Sequence, residues 1–272
     1  MHHEIRSIGK RRQQLNILIS FLLGAILLLL STSYSIAQDD KPIQVAQHLS
    51  SITLAAEDSW PPFADQLGQG ISHRIIKAAF LPSGIEVKSL VLPYTRALMM
   101  AEKGSVDGVF NVTREASTEQ RFIFGKIPLF VATASFYQKN QKPLNATNKW
   151  ALPKGTVIGV IKSYEYGDEF SQLVQQQQLN IVTVATQHQL INLLLIGRID
   201  TALMFDLVAK ENLQKMGVDH DITPVFTNHS SDIYLAFSKQ NPQAQNLAKQ
   251  LDEGLSLLKT TGQYDTLLSA AH

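Results

Sequence analysis

Ala97-Leu-Met-Met-Ala-Glu-Lys-Gly104-Ser-Val-Asp107-Gly-Val-Phe110 and Ile191-Asn-Leu-Leu-Leu-Ile-Gly197-Arg-Ile-Asp200-Thr-Ala-Leu203 share one layout. An apolar helical run ends at a glycine suited to the left-handed position after a helix. An aliphatic residue and an aspartate then open a buried strand. Helix–glycine–strand junctions are common, so the echo gains weight only from its surroundings, and these repeat as well. Ser51-Ile-Thr-Leu-Ala-Ala56 and Ile85-Glu-Val-Lys-Ser-Leu-Val-Leu92 read as strands around a helix with Ile71, Ile75, Ala78 and Ala79 on one side. Thr156-Val-Ile-Gly-Val-Ile161 and Asn180-Ile-Val-Thr-Val-Ala185 read as strands around a helical stretch, Glu165 to Gln178. Two βαβαβ-like units, at 51–112 and 156–204, predict two lobes, each with a mostly parallel sheet flanked by helices. Phe130 to Tyr137 leads out of the first unit and Asp232 to Ser238 leads back from the second, as two hinge strands. Pro242 to Ala271 is amphipathic helix interrupted near Gly262. The fold class is α/β.

The chain has 272 residues, 44% hydrophobic, with a formal charge of +1. That apolar content supports a core and excludes a disordered chain. The near-neutral charge gives no field for phosphates, so no nucleic-acid partner is expected. Having no cysteine excludes disulfides, thiolate metal sites, thiol nucleophiles and a lipidated N-terminal cysteine. No metal spacing, phosphate loop or nucleophile elbow occurs, and no cofactor is expected. At the N-terminus, Arg6, Lys10, Arg11 and Arg12 precede an apolar run from Leu15 to Leu30, then Ser35 and Ala37. Basic, apolar, small-x-small is the layout of a secretory signal peptide cleaved after Ala37; the alternative, an uncleaved anchor, is disfavoured because the run is shorter than the ~20 residues of a span. The organisation expected is 1–37 signal peptide, 38–50 flexible lead-in, 51–137 first part of lobe 1, 138–230 lobe 2, and 231–272 the return to lobe 1.

Ligands of open parallel α/β sheets lie beyond the carboxyl ends of the strands. In the first unit those ends carry Glu57, Asp58 and Trp60, then Tyr94 and Arg96, then Asn111, Thr113 and Arg114. In the second they carry Ser163, Tyr164 and Tyr166, then Phe205 and Asp206. Aromatic, charged and hydroxyl groups together suit a small polar or zwitterionic solute. Each also has a plainer reading. Trp60 can pin a proline loop, Tyr94 can sit at a wet helix start, and the arginines can form surface ion pairs. Ser163 can cap a helix, a geometry that also offers N–H groups to an anion. Asp107 and Asp200 lie at the opposite strand ends and read as structural, and His73 as packing. No acid–base pair is legible from spacing alone.

The order of these segments resembles the bacterial extracellular solute-binding proteins of family 3, the periplasmic receptors of amino-acid ABC transporters. The resemblance rests on Ala55-Ala56-Glu57-Asp58-Ser59-Trp60-Pro61-Pro62-Phe63, on Leu92-Pro93-Tyr94-Thr95-Arg96-Ala97-Leu98 with Gly104-Ser-Val-Asp107-Gly, and on Thr113-Arg114 through Phe130. It extends to Lys162-Ser163-Tyr164 and Gly197-Arg-Ile-Asp200, and spans residues 51–270. It implies a two-lobed type II periplasmic-binding-protein fold that closes on its solute, and a monomer working with an inner-membrane permease. Trp60 and Tyr94 fall where rings sandwich the ligand, Glu57 where a polar side chain is met, and Ser163 and Tyr164 at the second lobe's helix start. The family's carboxylate-clamping arginine aligns with Thr118, and its amino-holding aspartate with Phe205, one residue before Asp206. The resemblance therefore carries solute binding rather than amino-acid identity. A lyase on the same fold, of cyclohexadienyl-dehydratase type, and a sensory receptor are the alternatives.

Overall fold

β1 (Ser51–Glu57) alternates little, because both of its faces are covered: Leu54, Ala55, Ala56 and Glu57 are all buried. The computed structural model describes residues 50–269. The expected signal peptide and nearly all of the lead-in lie outside these residues. Described helices include none long and apolar enough to cross a membrane. A short pair, β2 (Ser59–Trp60) with β3 (Ala64–Asp65), follows β1 around the prolines. Then come α1 (Ile71–Phe80), β4 (Glu86–Leu92), α2 (Tyr94–Glu102) and β5 (Gly108–Thr113). Next are α3 (Ala116–Glu119), β6 (Phe122–Phe124) and the first connecting strand, β7 (Phe130–Lys139).

The second half contains β8 (Val157–Ile161), α4 (Phe170–Gln176), β9 (Asn180–Val184), α5 (Gln187–Leu195), β10 (Thr201–Phe205) and α6 (Asp206–Met216). The chain returns through β11 (Ile222–Ser238) and ends in α7 (Ala244–Thr260) and α8 (Gln263–Ser269). The strand order is β4-β1-β5-β11-β7-β10-β8-β9, with β6 on β11. β1 is parallel to β4 and β5, and β8 to β9 and β10. All pairings of β7 and β11 are antiparallel. Two parallel sets, each covered by helices and joined by two long antiparallel strands, make the two-lobed type II α/β fold anticipated above.

The echoed aspartates have equivalent partners. Asp107 accepts the Thr53 N–H on Oδ2 at 2.7 Å, and Asp200 accepts the Val157 N–H at 2.9 Å. In each half the aspartate's own N–H donates back to that residue's carbonyl at 2.8 Å. Both therefore tie the start of one strand to its parallel neighbour, far from the carboxyl ends. His73 is buried on α1 and meets Ser89 Oγ at 3.1 Å through Nδ1. Loss of water lowers its pKa to about 4, with Lys77 acting the same way, so its ring is a neutral packing group.

Three differences from the sequence reading bear on the site. The helix expected from Glu165 starts only at Phe170; residues 163–168 form an irregular loop in which Ser163 has φ 66° and Gly167 φ 92°. Left-handed backbone at those two points is incompatible with helix. Ser163 accordingly caps no helix. The returning strand is 17 residues long, because its polar first half pairs with β7 along most of that strand's length. And α6, which begins at Asp206, follows β10 directly.

Candidate functional site

The carboxyl ends of β1 and β5, the start of α2 and the loop after β8 converge on one cavity. Its lining is Glu57, Trp60, Tyr94, Asn111, Thr113, Tyr164, Glu165 and Phe205. Seven of these are among the residues anticipated from strand ends, all but Glu165. Its free volume is about 10 Å³, the room of about one water. Two reciprocal pairs of side chains cross this space. Tyr164 of the second lobe donates its hydroxyl to Glu57 of the first. Tyr94 of the first lobe donates to Glu165 Oε2 of the second at 3.1 Å. The two tyrosine rings meet edge to face, centroids 5.2 Å apart.

Trp60 is 2% exposed and forms the floor. It packs on Phe63 at 4.8 Å and, edge-on, against Phe205 of the second lobe at 5.2 Å. Phe205, where the resembled family has an aspartate, is thus an aromatic wall, itself stacked on Tyr166. Asn111 is held at φ 65°, uncommon for a residue with a side chain, while its Oδ1 accepts from Ser72 at 2.5 Å. Trp60 Nε1 and Asn111 Nδ2 are buried without a hydrogen-bond partner. Buried donors are normally satisfied, so each one left over calls for an explanation.

The electrostatics follow from this closure. Burial pushes the Glu57 carboxyl up to about 8, opposed by the Tyr164 hydrogen bond and reinforced by Asp58 and Glu165. Burial pushes Glu165 to about 8 as well, with Tyr94 opposing, Glu115 reinforcing and Arg121 opposing. Both tyrosine hydroxyls are raised, first by burial and then by the neighbouring carboxyls.

The remaining expected residues lie elsewhere. Arg96 is exposed on the first turn of α2, outside the lining. Arg114 donates through Nε to Glu119 at 2.6 Å and lies against Phe124 and Tyr234. It borders a separate open groove of about 280 Å³, with Glu115, Asp168 and Asp232. Ser163 Oγ accepts from Thr95 at 3.1 Å, an exposed link between the lobes. Asp206 accepts from Ser135 and Tyr137, which anchors the start of α6 to β7. Thr118 is fully buried, its hydroxyl donating to the Thr113 carbonyl at 2.7 Å and accepting from the Glu115 N–H, so it caps α3.

The residue that sequence reading missed is Glu165. The sequence reading puts it at the start of a helix, and the signal against that is the Tyr-Glu-Tyr-Gly succession, where Gly167 permits the loop to turn. This loop holds the other lobe at several points: besides the tyrosine–glutamate pairs, the Gly167 N–H donates to Glu115 Oε1 at 2.8 Å, and the Ala116 N–H donates to Asp168 Oδ1 at 3.2 Å. Among the described residues, no group of three or more acidic or histidine side chains is arranged to hold a metal.

No protein-family model and no curated protein sequence matches this chain. Solved structures do. A histidine kinase sensor domain with similarity to periplasmic binding proteins superposes with a TM-score of 0.70 at 18% identity, over 81% of this chain and 95% of that one. An ancestral arginine-binding protein bound to arginine gives 0.69 at 18%, over 81% and 97%. An amino-acid ABC transporter substrate-binding protein from Streptococcus pneumoniae bound to L-arginine gives 0.66 at 18%, over 82% and 94%. At these identities the likeness establishes the periplasmic-binding-protein fold.

Proposed function

We propose that this chain is an extracytoplasmic solute-binding protein of the family 3 type, which takes a small polar solute between its lobes without changing it. The observation that carries the reading is the cavity itself: it lies at the carboxyl ends of the parallel strands, where α/β sheets receive ligands, and both lobes line it. Closure on a solute is favoured by contacts that only the closed arrangement makes. With room for about one water, admission of a solute requires Tyr164 and Glu165 to withdraw from Glu57 and Tyr94, so entry and lobe separation are one event. Cleavage after Ala37 exports the chain, which works as a monomer and passes its solute to an inner-membrane permease. N-terminal sequencing of the exported protein, with Gln38 first, tests the export step.

A thermal-shift screen of amino acids, opines, polyamines, small carboxylates and sugars tests the main reading. A solute at a hundred times its dissociation constant stabilises by ~2.7 kcal/mol. The expected hit is weakened in Trp60→Phe; a hit that Trp60 and Tyr94 variants leave unchanged places binding elsewhere and overturns the reading.

One observation favours a second reading, a lyase on this fold. Glu57, with a pKa of about 8 in an aromatic cavity, carries its proton at neutral pH, as a general acid requires. Turnover of a prephenate-like substrate, abolished in Glu57→Gln, supports it; absence of turnover leaves the binding reading alone.

A further inference from the structure

We propose that the solute of this cleft is an organic cation without a carboxylate, of the diamine or guanidino-amine type, held between Glu57 of one lobe and Glu165 of the other. This rests on the solute-binding reading above and specifies its ligand.

The charge inventory of the cavity is one-sided. Its lining contains two carboxyl groups, one from each lobe, and no lysine, arginine or histidine. The guanidinium that acts on Glu165 is that of Arg121, and it is engaged in a two-point pair with Glu102, at 3.0 and 3.2 Å. Arg114 is paired with Glu119. Recognition of a carboxylate in a buried site ordinarily uses a planar guanidinium fork, and none faces this space. A carboxylate guest would instead meet two acidic groups. An ammonium or guanidinium guest meets two acceptors, together with the faces and edges of Trp60, Tyr94 and Tyr164, which attract cations.

A second, independent feature marks the same space as made for a polar guest. Trp60 and Asn111, 2% and 5% exposed, each keep a buried N–H donor without a partner. Both are uncharged, so they tolerate a cation where an arginine would repel it. They suit a hydroxyl, an amide oxygen or a water that accompanies the charged group.

The raised pKa values agree with this geometry. Glu57 is faced by Tyr164, Asp58 and Glu165, and Glu165 by Tyr94, Glu115 and Arg121; only the paired Arg121 is positive. A bound cation supplies the missing charge and drives off the protons that the carboxyls hold at neutral pH. Binding therefore tightens as pH rises from 6.5 to 8.5.

The test uses matched pairs that differ only in a carboxylate: agmatine against arginine, and 1,4-diaminobutane against ornithine. Each is titrated calorimetrically into the purified chain at pH 7.5. The carboxylate-free member is expected to bind at least tenfold more tightly in each pair, and its affinity to rise with pH. Glu165→Gln keeps the side chain's shape; with its circular dichroism unchanged, it is expected to lose the tenfold preference. An amino-acid member that binds as tightly as its partner, or more tightly, overturns the cation assignment. So does failure of all four probes while a neutral or anionic solute binds in a manner sensitive to Trp60→Phe; in both cases solute binding stands. If no solute of any class binds, both readings fall.

Discussion

The Tyr94 hydroxyl donates to Glu165 across 71 residues of sequence at 3.1 Å, while Tyr164, the residue before Glu165, reaches back to Glu57. Each lobe thus contributes one tyrosine and one glutamate, and each glutamate is held by the other lobe's tyrosine. The pairs close the cleft and keep two acidic groups in a place almost without water.

That arrangement fixes the sign of a pH dependence. Glu57 ionises near 4.5 when exposed, but at about 8 in the folded chain. Between those values the folded state holds a proton that the unfolded state has lost. Stability therefore falls as pH rises through this window, with a slope approaching ~1.4 kcal/mol per pH unit for this one group, and levels off above 8. Urea melts between pH 5 and 9 measure it, and Glu57→Gln makes the profile shallower, leaving the like-signed contribution of Glu165. A wild-type stability that rises over this range contradicts the burial of Glu57.

Tyr164→Phe removes the donor to Glu57 and leaves the carboxyl unsatisfied inside the protein. The expected loss is about 1–3 kcal/mol, read as a lower thermal midpoint. Because that hydrogen bond opposes the upward shift of Glu57, the variant also moves the pH profile to higher values.

Trp60→Phe should behave in the opposite way. The indole N–H has no partner in the fold, so its removal leaves stability within about 1 kcal/mol, while solute affinity falls roughly tenfold. A stability loss above 3 kcal/mol, with affinity intact, would make Trp60 a packing residue only.

Asp107→Ala and Asp200→Ala each strip a strand-opening N–H of its acceptor, from Thr53 and Val157 respectively. Each is expected to cost about 1–3 kcal/mol in urea melts, with solute affinity unchanged, because both lie at the strand ends away from the cavity.

Gly254 of α7 lies against α1, where an added Cβ would overlap the Ala79 carbonyl. Gly254→Ala forces the two helices apart, at about 1–3 kcal/mol in chemical denaturation, again without effect on the cleft.

Where the sequence was legible, a periodic signal matched a local cause. The run at Ile71–Phe80 is a helix over those same residues, since Ile71, Ile75, Ile76 and Ala79 bury one side. Gly262, at φ 73°, separates the two C-terminal helices. The tight clustering of Glu57, Trp60, Tyr94, Asn111, Thr113 and Tyr164 was accessible because strand ends in a parallel sheet share one edge. The 163–168 loop was not, because its shape depends on partners 50 or more residues away, such as Glu115 and Tyr94, which no local pattern encodes. The first half of β11 was hidden for a related reason: Thr223 to Ser231 is polar and broken by Pro224, and is extended only because β7 lies beside it. Arg114 illustrates a third limit. Strand-end position brings a residue near the cleft, but the carboxylate of Glu119 decides where Arg114 points.

β7 and β11 form one antiparallel ribbon that serves both lobes, and its ladder slips twice, between Pro224 and Phe226 and between Thr227 and His229. Bulges of this kind concentrate twist. Both irregularities fall within one six-residue stretch, 224–229, so the extra twist of the ribbon is concentrated there rather than spread along its length.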